Sequence, residues 1–156
     1  GYTGTYDNTG KRMHAVNVDL RLFKDPFELL AEGATFELEP GGLSTATSQL
    51  GRPVPAYLRG GFIEGRYRFW PMWLKDTWLG RGFDDPRFTA AVRVEQSTVA
   101  NPLGPVNRES RLSLGLNYRP VPTVAFKAEY LFNRATNEPL VFGSVNGLFL
   151  SVTGAF

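Results

Sequence analysis

Residues 14–24 read HAVNVDLRLFK, and apolar and polar side chains alternate along them. Because successive side chains of a β-strand point to opposite faces of a sheet, this alternation predicts one apolar face and one charged face. Helical spacing would scatter both sets of side chains around the axis. The charged face carries Asp19 and Arg21, and the apolar face carries Val16, Val18, Leu20 and Leu22.

The same period of two recurs in six further segments, at residues 27–38, 61–70, 87–98, 111–119, 123–133 and 147–156. The alternation is weakest in residues 27–38, where Glu28 and Glu32 share one side and Leu29 and Ala31 share the other. Each segment is close to the roughly 9–11 residues that cross a bilayer as a tilted strand. The sequence therefore predicts an all-β fold with about seven antiparallel strands.

The predicted connections fall into two sets. Residues 24–26 and 120–122 are tight turns that contain proline, whereas residues 39–56, 99–107 and 134–144 are long, polar loops. Short turns on one side of a sheet and long loops on the other are typical of transmembrane β-barrels of the outer membrane. In that arrangement the short turns are periplasmic and the long loops are extracellular.

Residues 71–85, PMWLKDTWLGRGFDD, form a long connection on the predicted short-turn side. Leu74 and Trp78 are four residues apart, which is a helical spacing. A short helix at the membrane surface would place Trp73 and Trp78 at the level of the lipid headgroups, where amphipathic rings prefer to lie. The alternative is that this segment covers the mouth of the barrel or packs against a partner.

Composition excludes several classes of function. The 156 residues carry a formal net charge of +2, which gives no support for nucleic-acid binding through bulk positive charge. The sequence has no cysteine and one histidine, His14, so a disulfide framework and a cysteine-based or multi-histidine metal site are excluded. A Ser-His-Asp triad has no recognisable spacing. We predict no catalytic residues, no metal site and no cofactor, and hence a protein that is not an enzyme.

The charged faces are expected to line a lumen, because an arginine or lysine that faces lipid costs about 2–4 kcal/mol at the midplane. The arginines of adjacent strands would then form a basic ladder with a mild preference for anions, or they would pair across strands with glutamates. The rough balance of the two signs favours pairing. The predicted lumen residues are Asp19, Arg21, Glu32, Glu64, Arg66, Arg68, Arg93, Glu95, Arg111, Arg119, Lys127 and Glu129.

Aromatic residues gather near the predicted strand ends, as they do in the girdles at membrane interfaces. The residues that we expect at the membrane interface are Trp70, Trp73, Trp78, Tyr118 and Phe156.

The final ten residues, GLFLSVTGAF, resemble the C-terminal signal of Gram-negative outer-membrane proteins, in which a terminal aromatic residue follows alternating apolar ones. Phe156 and Val152 match that pattern, whereas Gly154 departs from it because this place is usually bulkier. Residues 111–133, RLSLGLNYRPVPTVAFKAEYLFN, resemble the penultimate hairpin of porin-like proteins, including the phosphate-selective porins.

The resemblance implies a β-barrel in the outer membrane of a Gram-negative bacterium, surrounded by outer-membrane lipid. It implies passive diffusion of small polar or anionic solutes through a water-filled lumen. The barrel-assembly machinery would recognise the strand that ends at Phe156, and a homotrimer is the frequent assembly of such pores. The alternatives are a non-conducting or plugged receptor-type barrel and a soluble lipid-binding β-barrel.

The strand count also predicts the organisation of the chain. Single-chain bacterial barrels have an even number of strands, and an open sheet edge leaves backbone groups unsatisfied in lipid. About seven strands therefore predict that residues 1–156 are the C-terminal portion of one larger barrel domain. Residues 1–12 would be the end of a preceding loop.

Overall fold

A computed structural model describes residues 2–6, 12–38, 57–100, 106–136 and 146–154. The chain in these ranges forms one antiparallel sheet in which every strand pairs with its neighbours in the sequence. The eight strands are β1 (Tyr2–Tyr6), β2 (Arg12–Lys24), β3 (Phe27–Leu38), β4 (Tyr57–Phe69), β5 (Arg87–Ala100), β6 (Val106–Val121), β7 (Val124–Thr136) and β8 (Gly147–Gly154).

The all-β prediction and the seven predicted strands are confirmed, as β2 to β8. The expectation that residues 1–12 are loop is wrong for Tyr2–Tyr6, whose backbone pairs with residues 12–16 of β2. The segment YTGTY is rich in the threonine and tyrosine that favour strands, and the edge of β2 offers backbone groups that need partners.

Longer strands shorten one of the predicted loops. β5 continues to Ala100 and β6 starts at Val106, so the connection predicted at residues 99–107 is reduced to residues 101–105. The remaining long connections, residues 39–56 and 137–145, lie outside the described residues. Within the described ranges the sheet is open, with β1 and β8 at its edges, and it is not closed into a barrel. No helix in this part of the chain is long and apolar enough to cross a membrane.

The register keeps most of the apolar side chains of the long strands on one face, although Phe23 and Phe62 lie on the other. Val92 of β5 lies opposite Gly65 of β4 and Leu114 of β6. Leu29 of β3 lies opposite Leu22 of β2 and Gly65, which confirms the weak alternation predicted for residues 27–38. Because a slip of one residue would move every side chain to the other face, this consistency defines one apolar face and one charged face.

The exposure of the two faces is the reverse of that in a soluble sheet protein. On the apolar face, Val18 is 67% exposed, Ile63 60% and Leu150 73%. On the charged face, Glu64 is 8% exposed and Ser113 5%. Soluble proteins bury one face of a sheet against another layer of apolar side chains. In the described part of this chain the apolar face has no such layer.

The prediction of a helix within residues 71–85 is wrong except for one turn. A 3-10 helix covers Met72–Leu74, and turns follow it. The Thr77 hydroxyl donates a hydrogen bond of 2.7 Å to the Leu74 carbonyl, and Gly80 N donates one of 3.1 Å to the Thr77 carbonyl. These short-range bonds compete with the bonds of a continuing α-helix and close the segment into turns.

Candidate functional site

The charged face of the sheet is the candidate site. The register places all the predicted lumen residues on this face, since strand partners share a face. Glu64 lies directly opposite Arg93, and Asn117 lies directly opposite Lys127. The shared face is therefore confirmed, whereas the pore that these residues were predicted to line belongs to the proposal below.

A continuous set of ion pairs, here called the charged ladder, crosses five strands from β2 to β6. Arginine and glutamate alternate along it, four of each, so its formal charges cancel. Its members, in the order of their contacts, are Arg21, Glu28, Arg66, Glu64, Arg93, Glu95, Arg111 and Glu109.

From β3 to β6 the ladder crosses from strand to strand through residues in direct register, whereas Arg21 of β2 contacts Glu28 of β3 diagonally. Between β4 and β5, Arg93 Nη1 lies 3.6 Å from Glu64 Oε2. Between β5 and β6, Arg111 Nη1 lies 2.9 Å from Glu95 Oε1. Opposite charges at such facing positions stabilise a strand pair by roughly 0.2–1 kcal/mol each. The register of the sheet thus determines which charges meet.

Along β4, β5 and β6 the ladder continues through residues two positions apart, which share a face. On β5, Arg93 Nε lies 2.7 Å from Glu95 Oε2. On β6, Arg111 Nη2 lies 3.4 Å from Glu109 Oε1. A cross-strand contact followed by a contact along the strand allows one arginine to contact two glutamates, and this alternation carries the ladder across the sheet.

Two glutamates of the ladder are the most covered carboxylates on this face. The Glu64 side chain is 11% exposed and contacts the guanidinium groups of Arg66 and Arg93. The Glu28 side chain is also 11% exposed, and it lies 2.6 Å from Arg21 and 3.4 Å from Arg66. Covered carboxylates are costly unless they are paired, so these arginines are required for the stability of the wall.

Aromatic rings of the charged face hold two arginines in place. The Arg93 guanidinium carbon lies 3.7 Å from the centre of the Phe62 ring, and that of Arg68 lies 4.6 Å from the centre of the Phe23 ring. Arg68 also lies 3.2 Å from Asp25 in the turn between β2 and β3. Such cation–π contacts orient a guanidinium while leaving its N–H groups available for carboxylates.

The structure therefore pairs these arginines with glutamates, and they do not form a free basic ladder. The paired arginines are Arg21, Arg66, Arg93 and Arg111. Other predicted residues of this face lie apart from the ladder: among the described residues, Asp19, Arg119, Lys127 and Glu129 make no ion pair. The described residues contain no group of acidic or histidine side chains that would hold a metal ion. The ladder therefore presents a surface on which paired charges of opposite sign balance.

Sequence reasoning missed the part that Glu28 and Glu109 take in the ladder. The signal was present, because Glu64-Gly65-Arg66, Arg93-Val94-Glu95 and Glu109-Ser110-Arg111 repeat one spacing on three successive strands with the order reversed on the middle one. The antiparallel register offsets neighbouring triplets by two residues, so that Glu64 faces Arg93 and Glu95 faces Arg111.

An aromatic row crosses the apolar face at the end of the sheet that carries the short turns. Three of its contacts join residues in direct register, from Phe69 to Phe88, then Tyr118, then Phe126, with ring centres 5.8, 4.9 and 6.1 Å apart. Trp70 stacks on Phe88 at 5.7 Å. The row consists of Phe27, Tyr67, Phe69, Phe88, Tyr118 and Phe126.

The predicted interface residues divide into three groups. Tyr118 belongs to the aromatic row and Trp70 stacks on it, whereas Trp73 and Trp78 lie outside the row and are 77% and 82% exposed. Phe156 lies outside the described residues.

Comparison with known proteins adds no relative, since no protein-family model, curated protein or solved structure matches this chain.

Proposed function

We propose that this chain forms part of the wall of an outer-membrane β-barrel in a Gram-negative bacterium, through which small polar or anionic solutes diffuse passively. The exposed apolar face opposite a covered, charged face carries this proposal. Soluble monomers rarely expose contiguous apolar patches of more than a few hundred Å². In a bilayer the same face is covered by lipid, and the charged face is hydrated by the lumen.

Two features of the strands support a bilayer environment. Strands β2 to β7 contain 12 to 16 residues, which exceeds the roughly 9–11 that a tilted strand needs to cross the hydrocarbon core. The aromatic row lies at one end of the apolar face, where an interfacial girdle is expected. By analogy with bacterial barrels, the short turns and the aromatic row lie on the periplasmic side.

The charged ladder supports a lumen with weak ion selectivity. Its four arginines are neutralised by four glutamates, so a strong basic field is absent from the described part of the wall. Rings of charge of one sign produce strong selectivity in pores. A balanced wall favours small polar solutes of either charge, with at most a mild preference for anions.

The edges of the sheet require partners in this environment. Unpaired backbone groups of β1 and β8 cannot face hydrocarbon, because each costs several kcal/mol without a hydrogen bond. We propose that further strands pair with these edges and complete the barrel, of which residues 1–156 form a part. The barrel-assembly machinery would insert the barrel, and a homotrimer would be its assembly.

Single-channel recording tests the proposal. The intact protein, purified in detergent and shown to be folded by a shift in gel mobility on heating, is added to a planar bilayer under a salt gradient. Discrete ohmic steps with a small reversal potential are expected. Folded protein that inserts without conducting would overturn the pore and favour a non-conducting barrel, in which the paired charges fill the lumen.

Retention in aqueous buffer without detergent would overturn the membrane proposal itself. It would favour a soluble barrel in which another layer covers the apolar face.

A further inference from the structure

The connection between β4 and β5, residues 70–86 and here called the Trp loop, has a defined shape. Leu74 N donates a hydrogen bond of 2.9 Å to the Pro71 carbonyl, and Arg81 N donates one of 2.8 Å to the Thr77 carbonyl. Leu74 is 7% exposed and forms the small core of the loop. These bonds satisfy the backbone within the loop itself, so its outer side chains project from a folded support.

Close packing at Gly80 supports this interpretation. A Cβ atom at Gly80 would lie 2.5 Å from the Leu74 carbonyl oxygen and 2.7 Å from that of Lys75. Only glycine allows the backbone to approach this closely. The turn after Thr77 is therefore tight, and the loop has little freedom to fold its outer side chains inward.

Three large apolar side chains project from this support. Met72 is 73% exposed, Trp73 77% and Trp78 82%. The loop also borders a cavity of about 450 Å³, whose lining includes Met72 as well as the charged residues Arg68 and Asp84. Trp73 and Trp78 are absent from that lining and are the most exposed of the three side chains.

The Trp loop is joined to the aromatic row. The Tyr118 hydroxyl donates a hydrogen bond to the Leu79 carbonyl, and the Trp70 ring stacks on Phe88. Tyr118 and Phe88 both belong to the aromatic row at the end of the apolar face. The loop is therefore anchored at the end of the apolar face that the proposed function assigns to lipid, and its two exposed tryptophans lie on this same connection.

We infer that the Trp loop docks in the phospholipid headgroup layer at the short-turn end of the sheet, with Trp73 and Trp78 inserted beside the aromatic row. Indole rings prefer this region because they combine an apolar body with a polar N–H group. Continuity with the apolar face favours lipid over a protein partner. Charges of both signs, Lys75, Asp76 and Arg81 among them, make docking independent of anionic lipid.

This inference rests on the proposed membrane function, and tryptophan fluorescence separates the two. The chain has three tryptophans, and all lie in residues 70–78. Three double variants leave one tryptophan each: W70F/W78F leaves Trp73, W70F/W73F leaves Trp78, and W73F/W78F leaves Trp70 as the control beside the aromatic row. Each intact protein is placed in phosphatidylcholine vesicles after its heat-dependent gel shift confirms folding.

Lipids brominated near the headgroup and near the chain end serve as shallow and deep quenchers, and iodide reports access from water. For Trp73 and Trp78 we expect blue-shifted emission, a larger loss of intensity with the shallow lipid than with the deep one, and little loss with iodide. The same result in vesicles without anionic lipid is expected, because the loop carries both signs of charge.

The other outcomes overturn the inference in distinguishable ways. Quenching of Trp70 by brominated lipid, with Trp73 and Trp78 quenched only by iodide, would leave the membrane function intact and place the loop in water. Protection of Trp73 and Trp78 from both quenchers would mean that a protein surface covers the loop. Absence of lipid quenching for all three tryptophans would overturn the inference together with the proposed function.

Discussion

The two faces of the sheet share one backbone and differ in what surrounds their side chains. On the apolar face the side chains stand apart, and Ile63 is 60% exposed. In the middle of the charged face the side chains cover one another, and Glu64 is 8% exposed. Among the described residues the charged ladder thus supplies its own partners, whereas the apolar face has no layer packed on it. The proposed function assigns the cover of the apolar face to lipid.

The faces also differ in how neighbouring strands are connected. Across the charged face, ion pairs link β2 to β6 along a diagonal, from Glu28 beside the turn between β2 and β3 to Glu109 in the opposite half of the sheet. Across the apolar face, ring stacking links β3 to β7 at one end, and aliphatic side chains fill the middle. Ion pairs across one face and rings at the end of the other are the distribution expected of a wall between a lumen and a bilayer.

The largest effect is expected from a charge in the middle of the apolar face. Val92 lies between Phe88 of the aromatic row and the polar residue Gln96 on the same strand and face. For Val92→Arg we expect a loss of about 2–4 kcal/mol in the free energy of unfolding, because the guanidinium would face lipid near the midplane. Urea unfolding of the protein in lipid vesicles measures this loss.

Ser97→Arg is the matched control, since Ser97 lies on the charged face of the same strand and opposite Glu109. We expect this control to change the free energy of unfolding by less than about 1 kcal/mol. An equally small effect of Val92→Arg would contradict the comparison, because exposed sites in water tolerate such changes within about 0.5 kcal/mol.

A smaller effect is expected from breaking the charged ladder. Glu64→Gln removes one carboxylate from between Arg66 and Arg93, while Glu28 and Glu95 still contact these arginines. We expect a loss of about 1–2 kcal/mol, reduced because the arginines are about a third exposed. The wall also gains one net positive charge, so the reversal potential in a salt gradient should shift towards anions.

Glu129→Gln separates these two effects. Glu129 lies on the same face and makes no ion pair with any described residue. It should therefore shift the reversal potential in the same direction and leave the urea midpoint unchanged. A loss of stability as large as that of Glu64→Gln would argue against a special role for the ladder.

The smallest effect on stability is expected at the ion pair between Asp85 of the Trp loop and Arg87 of β5. The hydrogen bond from the Arg87 guanidinium, 3.0 Å long at Nε, lowers the pKa of Asp85 below its ordinary value. A lowered pKa in the folded protein stabilises it above the pKa of the unfolded chain, and this is lost as the pH falls through the folded pKa. Because the pair is exposed and screened by water, this contribution is small, and the urea midpoint at neutral pH should fall only slightly in Arg87→Gln.

Carbon-13 NMR titration of the Asp85 carboxyl measures the prediction directly. In Arg87→Gln the pKa of Asp85 should rise towards the ordinary value, and in Arg81→Gln, which alters the same loop away from this pair, it should stay lowered. An unchanged pKa in Arg87→Gln would show that the hydrogen bond does not form in solution.

Period-two alternation allowed the sequence to predict β2 to β8 and the residues of each face, because side-chain direction in a strand is a local property. The alternation did not predict the strand Tyr2–Tyr6, which forms because its backbone pairs with β2. It also failed at residues 71–85, where helical spacing coexists with Thr77 and Gly80, whose bonds and packing favour turns. In both places contacts beyond the local pattern determined the conformation.

The sequence alone predicts two unlike faces, one apolar and one charged, and aromatic residues near the strand ends. Which charges meet depends on how the strands pair in the tertiary structure. Glu64 faces Arg93 and Glu95 faces Arg111 because the antiparallel register places them opposite each other. Register depends on pairing between whole strands, and a shift of two residues between β4 and β5 would place Glu64 opposite Glu95 and Arg66 opposite Arg93.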